Sequence, residues 1–453
     1  MFGWISRLIG APPAAPATPI SPGIPAARPA TTRPNAPVLT AVAAAVPASA
    51  STSFGLRRPL VSTTGSVAGF ELLLPAPLQQ RLLARGDATA LAAHHAALMG
   101  AAKPLLAARR AVLMQLNADL LARPALTAQA PSGVMLLVPD LLALPAAVAS
   151  ALRARGVRLG LPDGPPANAP ATDFVLLQAA AGGIDTLLLS ARRWQEARPR
   201  VALVASGLEH VDDVERVLKA GFILAGGHLD RSAQAPVAKP LSAAAHRVCE
   251  LMNHLALDHD TAVVANSVRA DVALSYRLLR YANSPAIGLS RAVDSVEQAV
   301  MLLGRAELHR WLSVALLSAA TGRKASKALE ELALARGRLM EALARLAGEP
   351  APQNLFMLGL LSMLEVLMQL PLATVLAPLR LSESANQALL QQSGPWAPYL
   401  QVASALESGD DSRLAPLAEP WGGVEAVHAA NDEAWAWAIE VSDHSVASDN
   451  PAN

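Results

Sequence analysis

The chain has almost no cysteine. One residue of 453, Cys249, carries a thiol, which excludes an internal disulfide framework and a cysteine-built zinc site and fits a reducing compartment, the cytoplasm. Aromatic residues make up only 4% and charged residues 16%, against 52% hydrophobic. A core of that composition is built mostly from Ala, Leu and Val, which favours helices meeting through small residues. The net charge is +1, so no global field points to nucleic acid and none is expected as a partner. An uninterrupted membrane-spanning run is also missing. The most apolar stretch, residues 355–379, contains Glu365, Gln369 and Pro371. A carboxylate at the centre of a span costs roughly 2.5–3.5 kcal/mol, so this stretch reads as a buried helix followed by a second helix started by proline. No secretory signal is expected, because an arginine interrupts the apolar start MFGWISRLIG.

What is present divides the chain into unequal parts. Residues 11–53 are rich in Pro, Ala, Thr and Ser, and no acidic residue precedes Glu71. Such a segment buries too little surface to offset its ordering entropy and reads as a disordered tether. At its tip Phe2, Trp4, Ile5, Leu8 and Ile9 would share one side of a short helix with Arg7. Residues 1–10 then read as a docking peptide, a weak membrane-surface anchor, or a frayed terminus. Arm and tip together span 1–53.

Over 54–235 short apolar runs alternate with Ala/Leu-rich stretches. Strands are expected at 69–73, 111–116, 134–138, 158–161, 174–177, 186–189, 201–205 and 222–225, with helices such as 89–107 and 142–154 between them. This alternation predicts a parallel sheet with crossover helices, closed as a barrel. The connection between 177 and 186 is too short for a full helix, so the barrel is expected to be reduced there. From 239 to 440 the strand pattern stops. Helices are expected at 245–255, 261–269, 272–282, 295–303, 305–319, 327–347, 354–368, 372–378, 382–391 and 397–407, Ser382 capping its helix. Residues 441–453 are expected to fray.

Within the helical half, VRADVALSYRLLRYANSPAIGLSRAVDSVEQAVMLLGRAELHRWL at 268–312 carries a set of fold-specifying residues. Asn283, Ser284 and Pro285 break one helix, since proline disfavours helix before itself and Asn and Ser offer caps. Gly288 permits a tight turn. Ser295, with Gln298 three residues on, makes a capping box. Gly304 is expected to end that helix in the left-handed conformation. With Asp271 and the LSYRLL that follows it, these residues resemble the core of the HDOD domain, and the likeness extends over most of 241–439. HDOD domains are similar to HD-type phosphohydrolases in scaffold but lack their metal set. The dipeptide His259-Asp260 lacks correctly spaced partners, since His246 and His254 lie too close upstream, and reads as a solvated loop.

The first half more faintly resembles a cyclic-di-GMP phosphodiesterase of the EAL type. The segment FGLRRPLVSTTGSVAGFELLLP looks like that family's opening strand pair, with Glu71 at the motif's glutamate. The resemblance implies that acidic and amide groups at the strand ends hold two divalent metals, with a lysine and a further glutamate assisting water. Asn117 matches the asparagine ligand and Glu209 the late glutamate. Elsewhere the pattern departs. Leu74 replaces the following arginine, Pro139-Asp140 stands for a glutamate, and Pro162-Asp163 keeps one of two aspartates. Gln178 falls at or near the lysine, and Ala225-Gly226 replaces a glutamine–glycine pair. Losing several oxygen ligands and the lysine removes charge compensation and water activation together.

The fold expected is therefore a degenerate EAL-type α/β barrel followed by an all-α HDOD bundle, with a Pro/Ala-rich disordered arm. The function expected is non-catalytic signalling through contacts of the HDOD bundle with other signalling proteins, without a cofactor or metal. Cyclic-di-GMP binding is not expected, and a nucleotide sensor or a weak phosphodiesterase are the alternatives. Three smaller features read as structural. His94-His95 point in different directions on an Ala-rich helix. Trp435 and Trp437 pack the last helix on its neighbours, with a partner-binding patch as the alternative. Arg305, Arg310 and Arg323-Lys324 read as a solvated basic face.

Overall fold

A computed structural model describes residues 56–179, 183–237, 239–257, 261–283, 293–319, 323–409 and 411–448. The tether and tip, His259-Asp260, and Ser284, Pro285 and Gly288 lie outside the described residues.

Eight strands form a closed barrel in sequence order. They are β1 Leu56–Ser62, β2 Val67–Leu73, β3 Ala111–Gln115, β4 Met135–Leu137, β5 Arg158–Pro162, β6 Phe174–Gln178, β7 Ala202–Leu208 and β8 Leu224–Gly227. Strand β1 runs antiparallel to both β2 and β8, and all other neighbours are parallel. The helices of this half are α1 Ala76–Ala84, α2 Ala88–Ala107, α3 Ala118–Leu121, α4 Pro124–Gln129, α5 Ala146–Ala154, α6 Gly183–Ala197 and α7 Val211–Lys219. Leu60, Leu113, Met135, Leu137, Phe174, Leu176, Val204 and Leu224 fill the barrel as a separate buried cluster, the packed interior that an eight-stranded barrel requires.

Two expectations fail here. Residues 186–189 are not a strand, and the barrel is not reduced. They lie inside α6, a helix of 15 residues. Leu187, Ser190, Ala191 and Trp194 are its buried positions, a spacing of three and four that places them on one helical face. The strand that completes the barrel is β1.

The helical half comprises α8 Ala243–Ala256, α9 Thr261–Arg269, α10 Val272–Ala282, α11 Val296–Ser318, α12 Ser326–Leu346, α13 Pro352–Leu361, α14 Leu364–Met368, α15 Leu372–Leu376, α16 Glu383–Gln391, α17 Ala397–Ser408, α18 Asp411–Ala418 and α19 Val424–Ser448. The stretch 354–368 is two helices rather than one, and α18 has no counterpart among the expected helices. The last helix continues to Ser448 where fraying is expected. No helix among the described residues is long and apolar enough to cross a membrane.

The two halves share one face. Strand β1 joins β2 by a hairpin and brings no crossover helix, so the barrel's own helices leave the hairpin's outer side open. Helices of the second half cover it. Trp435 of α19 meets the Phe70 ring edge-on at 5.0 Å. The Arg57 guanidinium lies 5.4 Å over the same ring and pairs with Asp432 at 3.0 Å. At the hairpin tip the Ala328 N–H donates to the Gly65 carbonyl at 2.9 Å. A Cβ at Gly65 would stand 1.7 Å from the Lys324 carbonyl oxygen, and its φ is +75°, so both space and backbone call for glycine. Trp435 thus packs against the barrel, whereas Trp437 packs within the bundle, edge-on to Phe356 at 5.8 Å.

Candidate functional site

The carboxyl ends of the parallel strands form one mouth of the barrel, and the residues singled out from sequence distribute unevenly around it. Glu71 is buried within β2, level with Arg58 of β1. The Ser206 hydroxyl on β7 donates to it at 2.9 Å. Burial pushes the Glu71 carboxyl up, against the opposing pull of Ser206 and Arg58. Desolvation of this kind disfavours the charged carboxylate.

Asp140 and Asp163 line a common cleft of about 230 Å³ between the loops after β4 and β5. Glu71, Asn117 and Glu209 are not part of its lining. Each aspartate spends an oxygen on local structure. Asp140 accepts the Ala118 backbone N–H at 2.8 Å at the start of α3. One oxygen of Asp163 accepts from both the Gly164 N–H and the Trp194 indole N–H at 2.9 Å. Asn117 stands exposed before α3 without a capping bond from its side chain. Glu209 is exposed after β7. Gln178 is the last residue of β6, in register with Ser206.

This donor set does not fit the two-metal centre that the resemblance implies. Divalent hard cations take several oxygen donors converging on one point. Here the acids are divided between the barrel wall and a side cleft. Among the described residues no group of three His, Cys, Asp or Glu side chains is placed to hold a metal ion. Sequence reasoning missed Ser206, Arg58 and His228. Burial holds His228 below the usual imidazole range, with Asp230 pulling the other way. Arg58 could have been found from the hairpin register, which sets it opposite Glu71.

In the helical half the signature residues are structural where described. Asp271 caps α10, accepting from the Ala273 and Leu274 N–H groups at 3.0 and 3.1 Å, and pairs with Arg247 at 3.0 Å. Asn283 exchanges two bonds with Val293, of 2.8 and 2.7 Å, so one side-chain amide closes the base of the connection between α10 and α11. Ser295 accepts the Gln298 N–H at 3.2 Å, but Gln298 reaches back to the Asp294 N–H at 3.3 Å rather than to Ser295 itself. Gly304 ends a helical segment as expected, but not in the left-handed helical conformation. With φ 70° and ψ 172° it lies outside the left-handed helical well and joins two helical segments at a kink within α11, in a region open to glycine alone. His94 and His95 each bond the carbonyl four residues back, at 2.7 and 2.8 Å, and burial is the main cause that lowers the His95 pKa.

Arg310 and Arg323 of the basic run do not lie on a solvated face, whereas Lys324 is exposed. Arg310 is buried and binds Glu341 at 2.6 Å. Arg323 is buried against Asp212 of α7 at 2.9 Å. Each guanidinium is held by a carboxylate far off in sequence, which the local run could not reveal.

Three comparisons bear on these two halves. The HDOD domain family matches residues 239–391. A Bacillus subtilis relative, uncharacterized protein YuxH, is 26% identical over 210 residues, covering 46% of this chain and 51% of its own length. Cyclic di-GMP phosphodiesterase CdgJ of Vibrio cholerae serotype O1 is 25% identical over 258 residues, 56% of this chain and 57% of its own. The chain thus spans about half the length of the curated relatives it matches. Among solved structures, an EAL domain protein from Listeria monocytogenes aligns with 38% of this chain and 85% of its own at 12% identity, with a TM-score of 0.32. The match to the HDOD family thus falls wholly in the helical half, downstream of the closed barrel.

Proposed function

We propose that this protein is a non-catalytic signalling protein of the cytoplasm that acts through protein contacts of its HDOD domain, with the EAL-like barrel as an inactive partner fixed against it. The observation that carries the reading is the commitment of the mouth acids. Asp140 holds the α3 N-terminus and Asp163 holds Trp194, while Glu71 is buried beside Ser206. A glutamine, Gln178, ends the strand where the resemblance calls for lysine. Water activation and charge compensation both lack their usual groups.

The name of the Vibrio relative, a cyclic di-GMP phosphodiesterase, favours a second reading, in which cyclic-di-GMP is still bound and shifts the HDOD surface through a differential affinity. One experiment separates them. Thermal unfolding of the full chain is followed with and without cyclic-di-GMP, in magnesium or manganese, and the same samples are analysed for product. The first reading expects neither a shift nor product. A raised midpoint without product selects the sensor. Linear dinucleotide in the sample overturns both.

A further inference from the structure

Strand β1 fixes where the N-terminal arm leaves the fold. Leu56, the first residue of β1, stands opposite Leu73, the last residue of β2. Strand β2 runs parallel to its other neighbour, so its carboxyl end lies at the mouth, and residues 1–55 join the barrel there. The 45 residues from Ala11 to Gly55 separate the tip from that point. A flexible chain of this length spans about 35–40 Å root mean square, and a proline-rich one more. An eight-stranded barrel is only about 15 Å across from backbone to backbone. The tip therefore reaches every part of the mouth.

Across the barrel from β1, the loops after β4 and β5 enclose the cleft of about 230 Å³ described above. Pro139, Leu141, Leu142, Leu161, Pro165 and Pro170 give it mainly apolar walls, and Leu142 is 79% exposed. Its volume falls below the range of about 300–1,000 Å³ usual for small-molecule sites, which suits a few apolar side chains better than a nucleotide. Asp140 and Asp163 supply its charge. Each keeps a second oxygen outside the bonds to Ala118, Gly164 and Trp194.

Charge separates the two ends of the barrel. Asp119, Asp140, Asp163 and Glu209 are exposed acids at the mouth. At the opposite end, the short loops before β3, β5 and β7 carry Arg109, Arg155 and Arg200, all exposed. The arm carries Arg7, Arg28 and Arg33 and no acid. An arm with charge of one sign is drawn to the mouth and away from the far end. Within it, the tip gathers Phe2, Trp4, Ile5, Leu8 and Ile9 around Arg7.

We propose that the tip docks on the mouth cleft of its own barrel, with the apolar side chains of residues 2–9 on Leu142 and the proline walls and Arg7 at Asp140 and Asp163. A tethered segment meets its site at an effective concentration in the millimolar range, so a contact too weak to hold a free peptide holds this one. Docked there, the tip is withheld from other proteins and from membranes, and whatever takes the cleft releases it. The proposal goes beyond the scaffold reading and does not depend on it, because Glu71, Asn117 and Glu209 lie outside the cleft lining.

The test is disulfide trapping in the full chain. Cys249 is buried and its thiol is pushed up to about 11, so it stays out of the reaction. Gly3→Cys is paired either with Asn168→Cys at the cleft or with Lys219→Cys at the far end of α7, both exposed positions. Melting curves are first matched to the parent chain. Closure under oxidised glutathione is followed by non-reducing gel and peptide mapping. The G3C/N168C pair is expected to close within one chain roughly tenfold faster, or more, than G3C/K219C. The cleft acids slow thiolate formation at 168, so the chemical bias runs against this result. Adding Trp4→Ser to the G3C/N168C chain is expected to slow closure by roughly tenfold, since the tether alone then sets the rate. Closure that W4S leaves unchanged overturns the proposal. So does equal closure at 168 and 219, or a link that joins two chains.

Discussion

Arg323 and Asp212 stand 111 residues apart in sequence and 2.9 Å apart in space, one on the helical half and the other on the barrel. The Arg323 side chain is 1% exposed. Its remaining N–H groups go to the Ser232 hydroxyl at 2.7 Å and the Val366 carbonyl at 2.9 Å. Burial works against the Asp212 charge, but Ser232, Arg323 and the Ala233 N–H outweigh it and hold the carboxyl below its usual range. Beside this pair Arg336 bridges Asp230 at 3.5 Å and Glu407. Buried pairs of this kind are costly to break, since removing one partner strands the other.

Asp212→Ala is therefore expected to cost about 3–5 kcal/mol, read as a lowered urea midpoint. The pH dependence follows from the depressed carboxyl. Its contribution is complete above the unfolded aspartate value of about 3.9 and is lost as pH falls through the lower folded value. In the variant this part of the acid sensitivity disappears. A midpoint unchanged by D212A at neutral pH would show that the two halves do not depend on this contact.

Glu341 gathers three arginines. Arg310 binds it at 2.6 Å, Arg345 at 2.8 Å and Arg338 at 3.0 Å. Burial opposes its charge, yet the three guanidinium groups, Arg310 foremost, hold the carboxyl low. Glu341→Gln leaves three cations facing one another and is expected to cost roughly 3–5 kcal/mol in thermal or urea unfolding. Adding Arg310→Met to the same chain removes the cation that stands nearest to Glu341 and recovers part of the loss. If the double variant is no more stable than E341Q, repulsion is not the cause.

How far the sequence disclosed this molecule depends on whether the signal was local. Strands β3 to β6 announce themselves as short apolar runs bounded by turn residues, and Ser295 and Ser382 as caps, because those patterns are completed within a few residues. Strand β1, LRRPLVS, has two arginines and a proline and appears only through the family resemblance. Its arginines face groups supplied much later in the chain, Asp432 and the Ser408 carbonyl. The triple leucine at 187–189 looks like a strand in isolation and resolves as helix only when Trp194 is counted on the same face. Glu71 was legible by motif, but the serine that bonds it lies 135 residues away. Asp140 and Asp163 could be named as candidates, yet only the fold shows that an N–H of Ala118 and an indole of Trp194 claim them. Long-range partners leave no local pattern.

The two cleft aspartates give a direct test of their structural roles. Asp140→Ala leaves the Ala118 N–H without its acceptor, and Asp163→Ala does the same to Gly164 and Trp194. Each is expected to lower stability by about 1 kcal/mol. The effects should add, since each aspartate serves separate donors. The readout is a urea midpoint taken with and without manganese. If either aspartate acts chiefly as a metal ligand, its substitution will change the manganese response and leave the metal-free midpoint untouched.

Glu71 tests the barrel from the opposite direction. Its carboxyl is held above the usual range because burial outweighs the pull of Ser206 and Arg58. For a raised carboxyl the folded state binds the proton more tightly than the unfolded chain. Stability from this group is then greatest below the unfolded glutamate value of about 4.3 and declines as pH rises through the folded value. Glu71→Gln keeps an oxygen for the Ser206 hydroxyl and removes the buried charge. At neutral pH the variant is expected to be more stable than the parent chain, by about 1 kcal/mol. The gap should narrow as pH falls through the folded value, where the parent glutamate takes up its proton. Manganese should leave both melting curves where they are. A variant less stable than its parent at neutral pH would mean that the charge is satisfied in place. A manganese-induced rise seen in the parent and missing in E71Q would return Glu71 to the role its motif suggests.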